Sequence, residues 1–164
     1  MSYIVELAEH IQATSLGVAL AESSYAFPLI EGIHLIGLSV AVGLLFLIDL
    51  RLVGVLFKNV PAIDLLRQLR PIVLGGFAVI FVTGVLLFWS EAATVIVSPA
   101  FVAKFIFIAI AGLNALYFEF KLAKQPEVLE NHEVLPTNVR YAGLISLVVW
   151  SLVIISGRLI PYLP

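Results

Sequence analysis

The chain has no cysteine among its 164 residues. That absence excludes disulfide frameworks, thiolate metal sites, cysteine nucleophiles and haem attached covalently through Cys-x-x-Cys-His. Charge is also scarce: Asp, Glu, Lys and Arg make up 12% of the sequence, against roughly 25% in an ordinary soluble domain. Nine Lys and Arg against eleven Asp and Glu leave a formal charge of -2, with no basic arm or stripe to track a phosphate backbone, which excludes nucleic acid as a partner. The one methionine is Met1, so there is no methionine ladder for copper. No Ser-His-Asp order, glycine-rich phosphate loop or His-Glu-x-x-His motif supports hydrolase or nucleotide chemistry. The first 26 residues hold Glu6, Glu9 and Glu22 but neither Lys nor Arg. They lack the basic start of a secretory signal, and the mature chain is expected to begin near Met1.

What the sequence has is apolar length. Hydrophobic residues make up 62% of it, and crossing ~30 Å of hydrocarbon takes about 20 of them at a rise of ~1.5 Å each. Four runs reach that length, from about Pro28 to Leu56, Pro71 to Val95, Pro99 to Phe120 and Arg140 to Ile160. The predicted fold is all-α, an integral membrane four-helix bundle. Pro28, Pro71 and Pro99 are placed at helix starts, where a missing N–H costs nothing, and Pro161 stops the last span. Phe57 to Arg70 reads as a turn and a short amphipathic helix. Lys121 to Asn138 holds Glu127, Glu130, His132 and Glu133 between Pro126 and Pro136 and reads as a solvated loop.

Residues 1–26 are expected to form an interfacial amphipathic helix, with Ile4, Leu7, Ala8 and Ile11 on one face and Glu6, Glu9 and His10 elsewhere. A short fifth span is the alternative. Seven of the nine Lys and Arg residues flank the first and third connections: Arg51, Lys58, Arg67, Arg70, Lys121, Lys124 and Arg140. The other side has only Arg158, while Lys104 lies inside a span. Both termini are therefore expected to be extracytoplasmic. Glycines recur in every span, among them Gly37, Gly76, Gly84, Gly143 and Gly157. They suit close helix packing, or a close helix pair beside a flat cofactor.

Ionisable residues at membrane depth are costly and usually face a protein interior. His34 is placed roughly 9 Å below the outer end of the first span and Lys104 roughly 8 Å below the same end of the third. Glu31 precedes His34 by one turn on a neighbouring part of the face. Trp89 and Glu91 end the second span there, and Arg158 and Tyr162 the fourth, so every span contributes to one outer layer. In the inner layer, Asp49, Arg51, Arg67 and Arg70 face Glu119, Lys121 and Arg140, an arrangement that snorkelling and interfacial ion pairs explain. Asn114 reads as an interhelical hydrogen-bond donor and Trp150 as packing.

His34-Leu35-Ile36-Gly37 early in a span, Asp49-Leu50-Arg51-Leu52 at its exit and Ser98-Pro99-Ala100-Phe101-Val102-Ala103-Lys104-Phe105 after a tight loop form an ordered set. Together they resemble the small four-helix membrane proteins related to copper resistance protein D and to the bacterial membrane protoporphyrinogen oxidase. Tyr25-Ala26-Phe27-Pro28-Leu29-Ile30-Glu31 and Gly157-Arg158 are similar to an uncharacterised bacterial family in the same neighbourhood. The resemblance covers about residues 15 to 162. It implies a bound b-type haem, and it carries the oxidase family's functional His and Lys onto His34 and Lys104. The chain has Asn114 where that family has a further third-span His.

The expected function is that of a bacterial cytoplasmic-membrane protein holding b-type haem or a related porphyrin near the outer leaflet, for electron transfer or porphyrin chemistry. His34 would be the axial metal ligand. Lys104 and Arg158 would meet propionates, Trp89 would line the pocket, and His10 would be the second histidine within reach. Lys104 and Glu31 would handle protons, so that any enzyme activity would be that of a membrane oxidoreductase. Two alternatives stand beside it. One is an accessory or structural subunit of a larger membrane complex; the other is a copper or small-solute permease with Glu31 and His34 at its entrance. The expected partners are the lipid bilayer and a second copy or a larger complex.

Overall fold

The computed structural model describes residues 3–124, 126–130 and 135–163, and it is helical throughout. Two short helices, α1 (Tyr3–Gln12) and α2 (Ser15–Glu22), precede the long α3 (Ala26–Val53) and α4 (Ala62–Val95). Next come α5 (Pro99–Tyr117), continued by a π-helical turn at Phe118–Leu122, then the single-turn α6 (Pro126–Glu130) and α7 (Thr137–Leu159), which ends in a 3-10 turn at Ile160–Tyr162. Four of these elements are long and apolar enough to cross a membrane: Ala26–Val53, Ala62–Val95, Pro99–Leu122 and Thr137–Tyr162. Large apolar side chains cover their outer faces; Phe81 is 73% exposed and Leu113 67%. Such faces are consistent with lipid contact.

The helices pack in the order α4, α3, α7, α5, with α3 lying along both α4 and α7 and α5 lying along α7. Small residues set the two closest crossings. A Cβ at Gly76 would lie 2.7 Å from the Ala41 Cβ, so α4 rides directly on α3 there. At Gly143 the same atom would lie 3.0 Å from both the Asp49 carbonyl oxygen and the Leu52 Cβ, so α7 packs closely on α3 there. Van der Waals contact at this range is what holds helices together in lipid, where apolar burial gives no net advantage. Asn114 adds a hydrogen bond from its Nδ2 to the Ala142 carbonyl at 3.0 Å. Trp150 packs on Phe77, ring centroids 4.8 Å apart. Both roles agree with the sequence.

Several boundaries differ from the sequence reading. Pro71 does not start a helix. It sits inside α4, where the predicted short helix and the second span join into 34 residues, about 51 Å long. That exceeds the ~30 Å hydrocarbon thickness, so the charged first turns with Asp64, Arg67 and Arg70 need not enter the lipid. Pro71 removes one backbone donor, and an otherwise strong apolar helix absorbs the loss. The first span stops at Val53 because Gly54 adopts φ 87° and donates back to the Leu50 and Arg51 carbonyls, a left-handed cap that glycine takes without strain.

The segment expected to be a solvated loop instead closes one end of the bundle. Leu122, Leu129 and Leu135 are buried with Leu66, Val73 and Val139, and the apolar side of α6 covers the first turns of α4. His132 and Glu133 lie outside the described residues. The segment expected to be one amphipathic helix is two helices. Thr14 caps α2 by accepting from the Gly17 N–H at 3.3 Å, and its hydroxyl also receives the Trp89 indole N–H at 2.9 Å. The pair α1–α2 is thereby fixed against the last turns of α4.

A kink explains the second tie. Glu91 has non-helical φ/ψ (-131°, 24°) inside α4, which leaves following backbone donors without helical acceptors. The Gln12 side-chain oxygen accepts from the Ala93 N–H at 2.9 Å. Trp89→Phe removes one net hydrogen bond of about 1 kcal/mol. Hydrogen exchange in residues 3–22 is expected to speed up severalfold in that variant while exchange in α3 stays unchanged.

Both termini lie at the same end, where the Ser98 hydroxyl also donates to the Leu163 carbonyl at 2.6 Å.

Candidate functional site

Near that end, His34 is turned inward from α3 and is 8% exposed. The α3–α4 crossing at Gly37 and Gly76 sets the register that brings Thr83 of α4 opposite it. The His34 Nδ1 and Thr83 Oγ1 are 2.8 Å apart. Thr83 has a single hydroxyl proton, and it is aimed at its own helix, 2.6 Å from the Val79 carbonyl and 3.2 Å from that of Ile80. The hydroxyl therefore accepts from the imidazole, and the ring proton sits on Nδ1. With the proton there, Nε2 keeps its lone pair. Neutral imidazole with Nδ1–H held and Nε2 bare is the form that ligates metal.

Lys104 comes to the same level from α5. Its Cδ, Cε and Nζ each lie 3.6 Å from where a Gly157 Cβ would stand on α7. The glycine gives the alkyl chain a groove to lie in. Lys104 is close enough to His34 for its charge to act directly on the imidazole. Among the described residues no carboxylate pairs with the ammonium, and no acceptor takes a hydrogen bond from it. A half-buried cation between membrane-spanning helices without a counter-ion is costly, and an anionic ligand would supply what the chain does not. Gly84 lies on the other side: a Cβ there would be 3.3 Å from His34 Cε1. Thus Gly84 and Gly157, having no side chain, let α4 pack on the imidazole and α7 on the Lys104 side chain.

The remaining expected residues are placed differently. Glu31 is exposed on α3 and makes no hydrogen bond or ion pair among the described residues. It does not orient His34; Thr83 does. Arg158 is exposed, with its guanidinium over the Tyr162 ring at 5.4 Å and Nη2 3.3 Å from the Tyr162 hydroxyl. The indole N–H of Trp89 is taken by Thr14. His10 is exposed near the end of α1 and has no hydrogen-bond partner. Of the outer layer read from sequence, the structure brings together His34 and Lys104 and adds Thr83, Gly84 and Gly157.

The inner layer also divides. Arg70 and Glu119 form the expected ion pair, at 2.9 Å. Asp49 and Arg51 do not snorkel: they are 3% and 2% exposed. The Arg51 Nε donates to the Val60 carbonyl at 2.6 Å and so closes the α3–α4 turn. Among the described residues no three His, Asp or Glu side chains gather closely enough to hold a metal ion. A metal here would need most of its ligands from elsewhere, as iron in a porphyrin has.

Residues 8–163 match a family model described as a family of unknown function, DUF6644. The chain belongs to the DUF6644 family. No curated protein and no solved structure matches it. The match begins within α1 and ends after α7, so the end of α1, α2 and all four long helices of this DUF6644 chain lie inside the family's bounds.

Proposed function

We propose that this DUF6644 protein holds a b-type haem or related porphyrin among α3, α4, α5 and α7, with the His34 Nε2 as axial ligand and the Lys104 ammonium against a propionate. The observation that carries the reading is the 2.8 Å contact of His34 Nδ1 with Thr83 Oγ1, whose own proton is aimed at the Val79 carbonyl: it favours the tautomer with Nε2 free to ligate, and among the described residues no carboxylate pairs with the Lys104 ammonium. A b-type haem needs no cysteine and brings four of its own nitrogen ligands to iron, so one imidazole from the chain is enough. Bound, the group supplies one-electron redox chemistry. The chain's part is to fix the imidazole through Thr83, to neutralise a carboxylate through Lys104 and to exclude water with the apolar helix faces.

The excess of Lys and Arg at the opposite end orients this site toward the extracytoplasmic leaflet of a bacterial cytoplasmic membrane. In that orientation α1 and α2 lie at the outer interface, with Tyr3, Ile4, Leu7 and Leu16 exposed toward lipid headgroups. A copper permease would need a cluster of ligands, which the described residues do not form.

The test is an absorption spectrum of detergent-purified protein from haem-replete cells, air-oxidised and then reduced with dithionite. A Soret band that shifts on reduction is expected. Protein that carries no Soret band and takes up no added haemin would overturn the proposal.

A further inference from the structure

Asp49 lies in the other half of the bundle, and nothing in the outer site uses it. It is 3% exposed, and its Oδ2 is buried with no hydrogen-bond partner. The crossing at Gly143 brings α7 onto the backbone of Asp49 itself. One turn further along α7, Ser146 brings a hydroxyl into the neighbourhood of the carboxyl group. Around them are apolar side chains, among them Ile48, Leu52 and Ala142.

The cations of this end are engaged elsewhere. Arg51 on α3 donates to Val60, Arg140 on α7 to the Val53 carbonyl at 3.1 Å, and Arg70 on α4 pairs with Glu119. Arg67 of α4 and Lys121 of the π-helical turn are exposed. Asp64 is the other carboxylate on this part of α4, and no ion pair or hydrogen bond joins it to Asp49. An ionised carboxylate without a cation or a second donor is heavily penalised in such surroundings. One hydroxyl is also too few oxygens to complete the shell of a metal cation. The ligand that suits a lone carboxyl with a single hydroxyl is a proton.

A hollow lined by Val53, Thr137, Arg140, Tyr141 and Leu144 opens between the end of α3 and the start of α7. It reaches Val53 and Leu144, each about one helical turn or less from Asp49 and Gly143 along its helix. The hollow thus ends about one helical turn along α3 from Asp49.

We infer that Asp49, with Ser146, is a proton-binding site that exchanges with the aqueous phase at the end of the bundle away from the chain termini. The inference is independent of what occupies the site at His34. Infrared difference spectroscopy of the full chain in lipid vesicles, near neutral pH, tests it. The expected spectrum has the carbonyl stretch of a neutral carboxylic acid, which shifts on transfer to heavy water, is lost in Asp49→Asn and moves in frequency in Ser146→Ala. No such band in the native protein, or a band that persists in Asp49→Asn, would overturn the assignment. A band that is lost in Asp49→Asn but does not respond to heavy water would overturn exchange with the aqueous phase. If Asp49→Asn does not fold, Ser146→Ala decides, and an unmoved band rejects the site.

Discussion

His34→Ala is expected to abolish the Soret absorbance of the purified protein while the helical circular dichroism stays intact. The side chain is buried and its hydrogen bonding reaches α4 at Thr83 and the Ile80 backbone, but the tightest α3–α4 approach lies further along, at Gly37, Ala41 and Gly76. Loss of the imidazole therefore removes the ligand without removing the packing. Thr83→Val gives the graded version of the same test. It keeps shape but takes away the acceptor that holds the ring proton on Nδ1, and losing the hydrogen bond that orients a ligating imidazole costs about 10–100-fold in metal affinity. Thr83→Ser restores a hydroxyl and is expected to restore most of the affinity, measured by haemin titration. A merely structural threonine would give the opposite order, with Val better tolerated than Ser in an apolar helix. Full Soret absorbance in His34→Ala would reject His34 as the ligand, whatever the bundle binds.

The four spans are legible because apolar length is a one-dimensional property: 20 or so residues without charge can be counted along a string. The shared level of His34 and Lys104 is legible for the same reason, since depth follows from distance to the span end. The direction in which a side chain points across the bundle is not countable. Thr83 sits in Ile80-Phe81-Val82-Thr83-Gly84, where a threonine looks like one more small apolar residue. Only the register set 7 residues earlier at Gly76 shows that it meets His34.

Asp49 misled in the reverse sense. Its place two residues before Arg51, near a span end, suggests an interfacial pair. What buries it is α7, about a hundred residues later in the chain, which arrives through a glycine. Pro71 shows a local signal overruled by its context, because the apolar run on both sides of it outweighs one missing donor. The tie of Gln12 and Thr14 to α4 depends on a kink at Glu91 that no local pattern announces. Thr14 before Ser15 was a readable helix-cap signal, and it marks the break between α1 and α2.

Gly75 and Gly76 are neighbours in sequence, yet alanine at the two positions is expected to have opposite effects. At Gly76 the added methyl would stand 2.7 Å from the Ala41 Cβ and 3.3 Å from its Cα, so the clash is with backbone-fixed atoms that no rotamer change can move. The helices must separate, and with them goes the register that sets Thr83 against His34. Overpacking of this kind costs about 1–3 kcal/mol, enough to lower the thermal midpoint in detergent and to weaken haemin binding together. At Gly75 nothing lies within 4 Å of the added atom. There the higher helix propensity of alanine, up to about 1 kcal/mol over glycine, favours the folded helix. Gly75→Ala is therefore expected to melt at or above the native midpoint and Gly76→Ala clearly below it. Equal midpoints for the two variants would mean that α4 does not rest on α3 through Gly76, and the placement of Thr83 opposite the imidazole would fall with that contact.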